Sequence, residues 1–263
     1  MTLQTLTYQA GERTVSFKMD LDPTFPADRW IINADMNHVP YEPDVTAVMF
    51  RTIKEGDTVV DVGANVGYFT CMMAALVGPT GKVYSFEPAS ENLDRLYRNL
   101  GVNEFGQVKV VPCAVDAAPR RVELYLSADD SGGNALWDPG MWWENTKSKL
   151  VASHVTVEAV TLGMQVEERV SLIKIDTEGA EERVLKGAWA ILRGEKPTVI
   201  AELSHFALAQ LGSSEQSLRA LMAAHGYSTF LPYYTGDLPK LVPPNTRIAF
   251  PHNVNIFFTS RRS

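Results

Sequence analysis

Asp61-Val-Gly-Ala-Asn-Val-Gly-Tyr-Phe69 is the stretch on which the fold turns. Val59-Val60-Asp61-Val62 has the composition of a buried strand, residues 66–77 are apolar enough for a covered helix, and Gly63 and Gly67 break the chain between them. Such a turn lets a nucleotide-like ligand approach the backbone closely. Outward from it, the alternation repeats. Val83-Tyr84-Ser85-Phe86 reads as a second strand, a helix carries Leu93, Leu96, Tyr97 and Leu100, and residues 108–111 form a third strand. Further on, Leu172-Ile173-Lys174-Ile175 is a central strand. One helix then carries Ala180, Val184, Leu185, Ala188, Ile191 and Leu192 at spacings near 3.6, before the strand Thr198-Val199-Ile200-Ala201. Strands and helices in turn mean βαβ units, hence an α/β fold: a Rossmann-like sheet with helices on both faces.

The flanks follow from simpler patterns. Residues 5–19 alternate around Gly11-Glu12 like a hairpin, and Tyr41-Glu42-Pro43 opens a helix in which Val45, Val48, Met49 and Ile53 share a face. Residues 122–126 read as an extra strand, and 155–162 as one that is antiparallel or at an edge. After a helix at 218–224, strands at 228–231 and 254–258 are joined by a Pro-rich loop without a crossover helix, so they pair as an antiparallel C-terminal hairpin. An irregular insertion at 127–153 holds Gly132-Gly133, Trp137, Trp142 and Trp143, read either as a lid over a ligand or as a small satellite core. The chain is divided accordingly: a hairpin-and-helix extension over 1–54, and a main domain over 55–263 that contains the insertion.

With 263 residues, 45% hydrophobic and 21% charged, the chain has the composition of one ordered domain with modest additions. A net charge of -7 works against a phosphate backbone as partner. The opening residues lack the apolar core of an export signal, and the longest mostly apolar run, 68–78, is about half the ~20 residues of a membrane span. Cys71 and Cys113 sit singly in apolar stretches, as free thiols of a reducing compartment do. The expectation is a soluble cytoplasmic protein with no nucleic-acid or membrane partner. Its oligomeric state is left open, a homodimer included.

Glu87 falls 20 residues after Gly67, at the end of the second strand, where a carboxylate binds both ribose hydroxyls of an adenosine cofactor. The dinucleotide pattern G-x-G-x-x-G/A, counted from Gly63, meets Asn65 and Tyr68 at its second and third glycine positions, which disfavours a pyrophosphate. S-adenosylmethionine carries no phosphate, and its sulfonium suits the acidic Asp61, Glu87 and Asp176. The alternatives are a nicotinamide-dependent oxidoreductase and a non-catalytic protein that holds a cofactor or metabolite.

At this point the chain resembles the FkbM type of class I S-adenosylmethionine-dependent methyltransferases. The resemblance rests on Tyr41-Glu42-Pro43, the turn from Asp61 to Thr70, Phe86-Glu87-Pro88, Asn99 and Asn103, and above all Ile173-Lys-Ile-Asp-Thr-Glu-Gly-Ala-Glu181. It implies a seven-stranded mixed sheet and methyl transfer, most often to a hydroxyl of a natural product or sugar. Position by position, it implies that Asp61, Gly63, Asn65 and Gly67 line the methionine part of the donor, Glu87 the ribose, and Ala114 to Asp116 the adenine edge; Glu42, Phe69 and Asp176 are further cofactor-binding candidates. Where many members read Thr-Leu-Asp, this chain has Thr161-Leu162-Gly163.

A neutral hydroxyl acceptor must lose a proton as it attacks the methyl, so a base is needed at the carboxyl ends of the strands, where open α/β sheets bind ligands. His205 is the first choice, because imidazole titrates near ~6.5 and Glu202 stands three residues away to orient it. Asp176 and Glu178 are the other catalytic candidates. Asp176, Glu202 and His205 also allow a Mg²⁺ reading, but separated single ligands lack the tight spacing of a metal motif, and no metal is assigned. His252, Asn253 and Asn255 are candidates for an acceptor wall.

Overall fold

The computed structural model describes residues 2–127, 130–138, 153–232, 239–249 and 253–260; Asp129, Trp142, Trp143 and His252 lie outside these, as does most of the 127–153 insertion. The chain opens with the hairpin of β1 (Thr2–Ala10) and β2 (Arg13–Leu21), turning at Gly11 with φ +61°. Alternation along it places Leu6, Tyr8, Val15, Phe17, Met19 and Leu21 on one buried face. Two helices follow, α1 (Pro26–Met36) and α2 (Pro43–Thr52). The βα alternation then runs β3 (Thr58–Val62), α3 (Tyr68–Val77), β4 (Lys82–Phe86), α4 (Ser90–Gly101) and β5 (Val108–Val111). Three short strands come next, β6 (Ala114–Val115), β7 (Arg120–Leu126) and β8 (Ser153–Val160), and then α5 (Leu162–Gln165). The second half is β9 (Val170–Ile175), α6 (Glu181–Gly187), α7 (Trp189–Gly194), β10 (Thr198–Ser204), α8 (His205–Gln210), α9 (Glu215–Ala224), β11 (Ser228–Leu231), β12 (Lys240–Val242) and β13 (Asn253–Thr259).

The main sheet has the order β12-β11-β13-β10-β9-β3-β4-β5. Its β5, β4, β3, β9 and β10 are parallel, whereas β13 pairs antiparallel with both β10 and β11. Seven of these strands are the expected ones, including the antiparallel C-terminal pair; the eighth, β12, is a three-residue edge strand from the Pro-rich loop. The alternating segment now seen as β8 leaves this sheet altogether and forms a second one with β6 and β7, pairing antiparallel with β7. One apolar layer joins the hairpin to α3 and α2, with Leu6, Phe17, Met49, Met72 and Met73 in contact, and the other packs α6, α7 and α9 on the opposite face.

Three local differences from the sequence reading have physical causes. The helix after the glycine turn begins at Tyr68 rather than Val66, because Gly67 caps it in the left-handed region at φ +91°. The single helix read over 180–192 breaks into α6 and α7 at Ala188 (φ -100°, ψ 8°). At this break Gly187 lies so close to the Asp116 carbonyl that a Cβ would come within 2.3 Å of it. Helix α1 has no counterpart in the sequence reading. Its hydrophobic stripe is thin, and what holds it is the buried ion pair between Asp28 and Arg95 of α4, with the Phe25 ring 4.4 Å from the guanidinium.

Candidate active site

The strand order reverses between β3 and β9, and a cavity of about 310 Å³ opens beyond the carboxyl ends of β3, β4, β9 and β10. This is the crevice where open α/β sheets take ligands. Its floor is the glycine turn. The Gly63 and Ala64 amides both donate to the Phe86 carbonyl at 3.0 Å, tying the turn to β4. Gly63, at φ +80°, could not be replaced, since a Cβ would lie 1.8 Å from the Asp176 carbonyl oxygen. At Gly67 a Cβ would meet the Leu96 side chain at 2.4 Å. Both glycines are therefore demanded by the protein's own close packing and backbone conformation.

Glu87, at the end of β4, is 4% exposed. One of its oxygens accepts the Asn65 amide at 2.9 Å, while the other accepts the Ala89 amide at 2.9 Å and Asn92 Nδ2 at 3.3 Å. Burial pushes its pKa up to about 7, even though these donors favour the ionised form. A turn at Ser131–Gly133, capped by the Asp130 side chain, lies across from it and accepts Asn92 Nδ2 at the Ser131 carbonyl. Cys113, Ala114, Val115, Leu124 and Leu136 make an apolar side to the same cavity.

The other side is built from carboxyl groups. Glu42, Asp130, Asp176, Glu178 and Glu202 join Glu87 in the lining, and among the described lining residues there is no Lys, Arg or His. Asp176, Glu178 and Glu202 each bring a carboxylate oxygen within 4.8 Å of the others. Burial first, and then repulsion from Asp176 and its neighbours, raises Glu178 to about 8 and Glu202 to about 10; the same causes raise Glu42 to about 7. The nearest cation, Lys174, lies behind the lining. It is 4% exposed, 3.2 Å from Asp176 and 3.8 Å from Asp61, with its ammonium 4.8 Å from the centre of the Phe69 ring. Burial works against its charge, but Asp176, Asp61 and Glu42 more than offset this and raise its pKa.

Of the residues singled out in the sequence, the structure brings Glu42, Gly63, Asn65, Glu87, Ala114, Asp176 and Glu178 to this cavity. Phe69 borders a smaller adjoining cavity of about 50 Å³ together with Lys174 and Asp176. Asp61 lies beneath the floor, accepting Thr70 Oγ1 at 2.6 Å, and Gly67 caps α3. Asp116 turns away from the cavity to Arg120 and Arg183. His205 begins α8 with its Nε2 3.1 Å from the Ile248 carbonyl, outside the lining. A nitrogen facing a carbonyl oxygen is a donor, so Nε2 carries a proton there, and the ring of the residue expected as base from its position after β10 stands outside the cavity lining.

Asn253 and Asn255 donate to Glu202 at 3.1 Å and to Glu42 at 3.4 Å, serving the carboxyls. Asn99 and Asn103 instead stitch α4 to β2, accepting the Asp20 and Lys18 amides at 2.7 and 2.6 Å. Trp137 packs on Phe206 and donates from Nε1 to the Glu178 carbonyl at 2.7 Å. Glu202, read in the sequence as a partner of His205 and as a possible metal ligand, also lines the cavity, whereas Ala27 and Trp30 of α1 and Asn92 were not foreseen. Trp30 carried no signal, because nothing local told that α1 would fold over the turn.

A donor such as S-adenosylmethionine fits what these residues lack. The Oδ1 atoms of Asn65 and Asn92 are buried without a hydrogen-bond partner among the described residues, and the crowded carboxyls call for positive charge.

Residues 61–229 match the family model of the methyltransferase FkbM domain, and the chain belongs to that family of methyltransferases. Among characterised relatives it is 28% identical to methyltransferase sdnD of Sordaria araneosa over 51% of this chain and 63% of that one. It is 27% identical to the hexuronic acid methyltransferase AglP of Haloferax volcanii, over 56% of each. The chain thus spans less than two thirds of the length of these two. It is 30% identical to the 31-O-demethyl-FK506 methyltransferase FkbM of Streptomyces tacrolimicus, over 67% of this chain and 74% of that one. Among solved structures, an FkbM methyltransferase from Methylobacillus flagellatus KT aligns over 91% of this chain and 56% of its own at 16% identity, with a TM-score of 0.48. No helix among the described residues is long and apolar enough to cross a membrane.

Proposed function

We propose that this chain is an S-adenosylmethionine-dependent O-methyltransferase acting on a hydroxyl of a small or medium-sized metabolite such as a natural product or sugar. The observation that carries the reading is a cavity at the switch point of the sheet lined, among the described residues, by six carboxyl side chains and no basic one, an environment that favours a sulfonium cation over a pyrophosphate. Family membership supports methyl transfer over hydride transfer. Glu87 and Asn92 would hold the ribose, Asn65 and the glycine turn the methionine part, and the apolar side around Ala114 and Leu124 the adenine. Bound there, the donor supplies a methyl already activated on sulfur.

This chain's own residues orient the acceptor and take its proton. Glu178, raised to about 8, is the proposed base: it titrates near neutral pH and gains ionisation when a cation enters beside it. Glu202, raised to about 10, stays protonated and donates a hydrogen bond to the acceptor. Asp176 is held by Lys174 and faces the positive end of the donor.

Calorimetry with S-adenosylmethionine, S-adenosylhomocysteine and NAD decides the cofactor, and binding of NAD alone would overturn the proposal. A screen of hydroxylated natural products and sugars for the mass of one added methyl then finds the acceptor. The clustering of Asp176, Glu178 and Glu202 favours one second reading, in which a divalent cation grips the acceptor oxygen. Loss of turnover in EDTA and recovery with Mg²⁺ would select it.

A further inference from the structure

We propose that Glu181, which does not line the cavity, is a positioning residue that sets the direction of the Glu178 side chain; this rests on the proposed role of Glu178. The segment Asp176-Thr177-Glu178-Gly179-Ala180-Glu181 leaves β9 and enters α6. One oxygen of Glu181 accepts three hydrogen bonds, from the Thr177 amide at 3.0 Å, the Thr177 hydroxyl at 3.0 Å and the Gly179 amide at 3.1 Å. These donors stand on either side of Glu178, whose backbone is held left-handed at φ +50°. A non-glycine residue keeps such a conformation only where its surroundings over-determine it. Here three constraints do so: Glu181 from below, Trp137 Nε1 on the Glu178 carbonyl at 2.7 Å, and Gly179 pressed so close to α8 that a Cβ would lie 2.4 Å from the Ala207 carbonyl oxygen.

Glu181 is 1% exposed, and its second oxygen has no hydrogen-bond partner among the described residues. All its visible work is therefore done through the one oxygen that gathers the loop. An amide oxygen can take the same three donors, whereas a carboxylate one methylene shorter cannot reach them. Shape is thus what position 181 supplies to the loop, beside the like charge with which it helps to hold the Glu178 carboxyl above its ordinary range.

The test compares Glu181→Gln and Glu181→Asp in the full chain, with Glu181→Ala added if it folds. The Trp137 indole N–H resonance, assigned with Trp137→Phe, reads the loop without any need for turnover. Donor affinity by calorimetry and kcat against acceptor KM read the site. Glu181→Gln is expected to keep the indole resonance and a kcat within a few-fold of wild type. Glu181→Asp is expected to shift the resonance and lower kcat ~10²-fold, as a displacement of about 1 Å does, with donor affinity unchanged within twofold. The opposite order, Asp active and Gln inactive, would overturn the proposal in favour of a charge effect. So would an unmoved resonance in Glu181→Asp, or a donor affinity that falls in step with kcat. Should no acceptor be methylated by the wild type, the function reading falls, while the resonance comparison still decides the role of Glu181.

Discussion

The two sides of the cavity surround their buried carboxyls with different neighbours. At the end of β4, Glu87 is surrounded by donors: two backbone amides and an asparagine side chain. At the ends of β9 and β10, Glu178 and Glu202 face Asp176 and each other, with Asn253 the hydrogen-bond donor to Glu202 and Lys174 committed to Asp176 and Asp61. The difference teaches what each side can do. Its hydrogen bonds hold Glu87 at about 7 despite burial, whereas crowding drives Glu178 and Glu202 further, to about 8 and about 10, so the crowded side answers more strongly to an arriving cation.

If that contrast holds, removing charge from the crowded side has the largest effect. Glu178→Gln is expected to lower kcat by ~10²–10⁴-fold with donor affinity nearly unchanged, and to lack the rise of kcat with pH expected of the wild type. A variant with the same pH profile as wild type would end the case for Glu178 as base.

Next comes the hydrogen-bonded side. Glu87→Ala is expected to weaken S-adenosylmethionine by ~1.5–3 kcal/mol, the worth of hydrogen bonds to a charged group. Calorimetry that finds equal affinity would place the ribose elsewhere and erase the contrast.

A smaller effect reads the crowded side without any acceptor. Glu178 titrates at about 8 in the folded chain, above its ordinary value of 4.5, so the stability it contributes is full below that ordinary value and lost as pH rises through about 8. The melting temperature of the ligand-free wild type should therefore fall relative to Glu178→Gln between pH 5 and 8, and S-adenosylmethionine should reduce the fall. Parallel melting curves across that range would show that the carboxyl is not held back from ionising.

The smallest effect is expected at His205, whose ring faces the Ile248 carbonyl. His205→Ala should change kcat by no more than about threefold, in the range of substitutions outside the reacting groups. A loss of ~10²-fold or more would restore the histidine as the base.

Much of the fold was legible because its signals are local. Period-two and period-3.6 patterns, the glycines at 63 and 67 and the acid 20 residues later are properties of short windows, and they located β3, α3, β4 and Glu87. Where packing overruled local preference, the reading failed. Ala188 ends a helix because Gly187 is pressed against the Asp116 backbone, and α1 exists because Asp28 finds Arg95 of α4, 67 residues away.

The sequence by itself determined the α/β alternation, the glycine turn and the acid at the end of the second strand, since backbone conformation and burial pattern are written within about 20 residues. Only the tertiary structure decided which acids meet. Glu42 precedes the first strand of the main sheet and Asn255 lies in the last, yet they are hydrogen-bonded across 213 positions. Asp176, Glu178 and Glu202 converge because β9 and β10 lie side by side, while His205, three residues beyond Glu202, is carried by α8 toward Ile248. A side chain's identity is local, but its electrostatic environment is a sum over neighbours that strand order brings together, and that sum sets how readily each acid holds its proton.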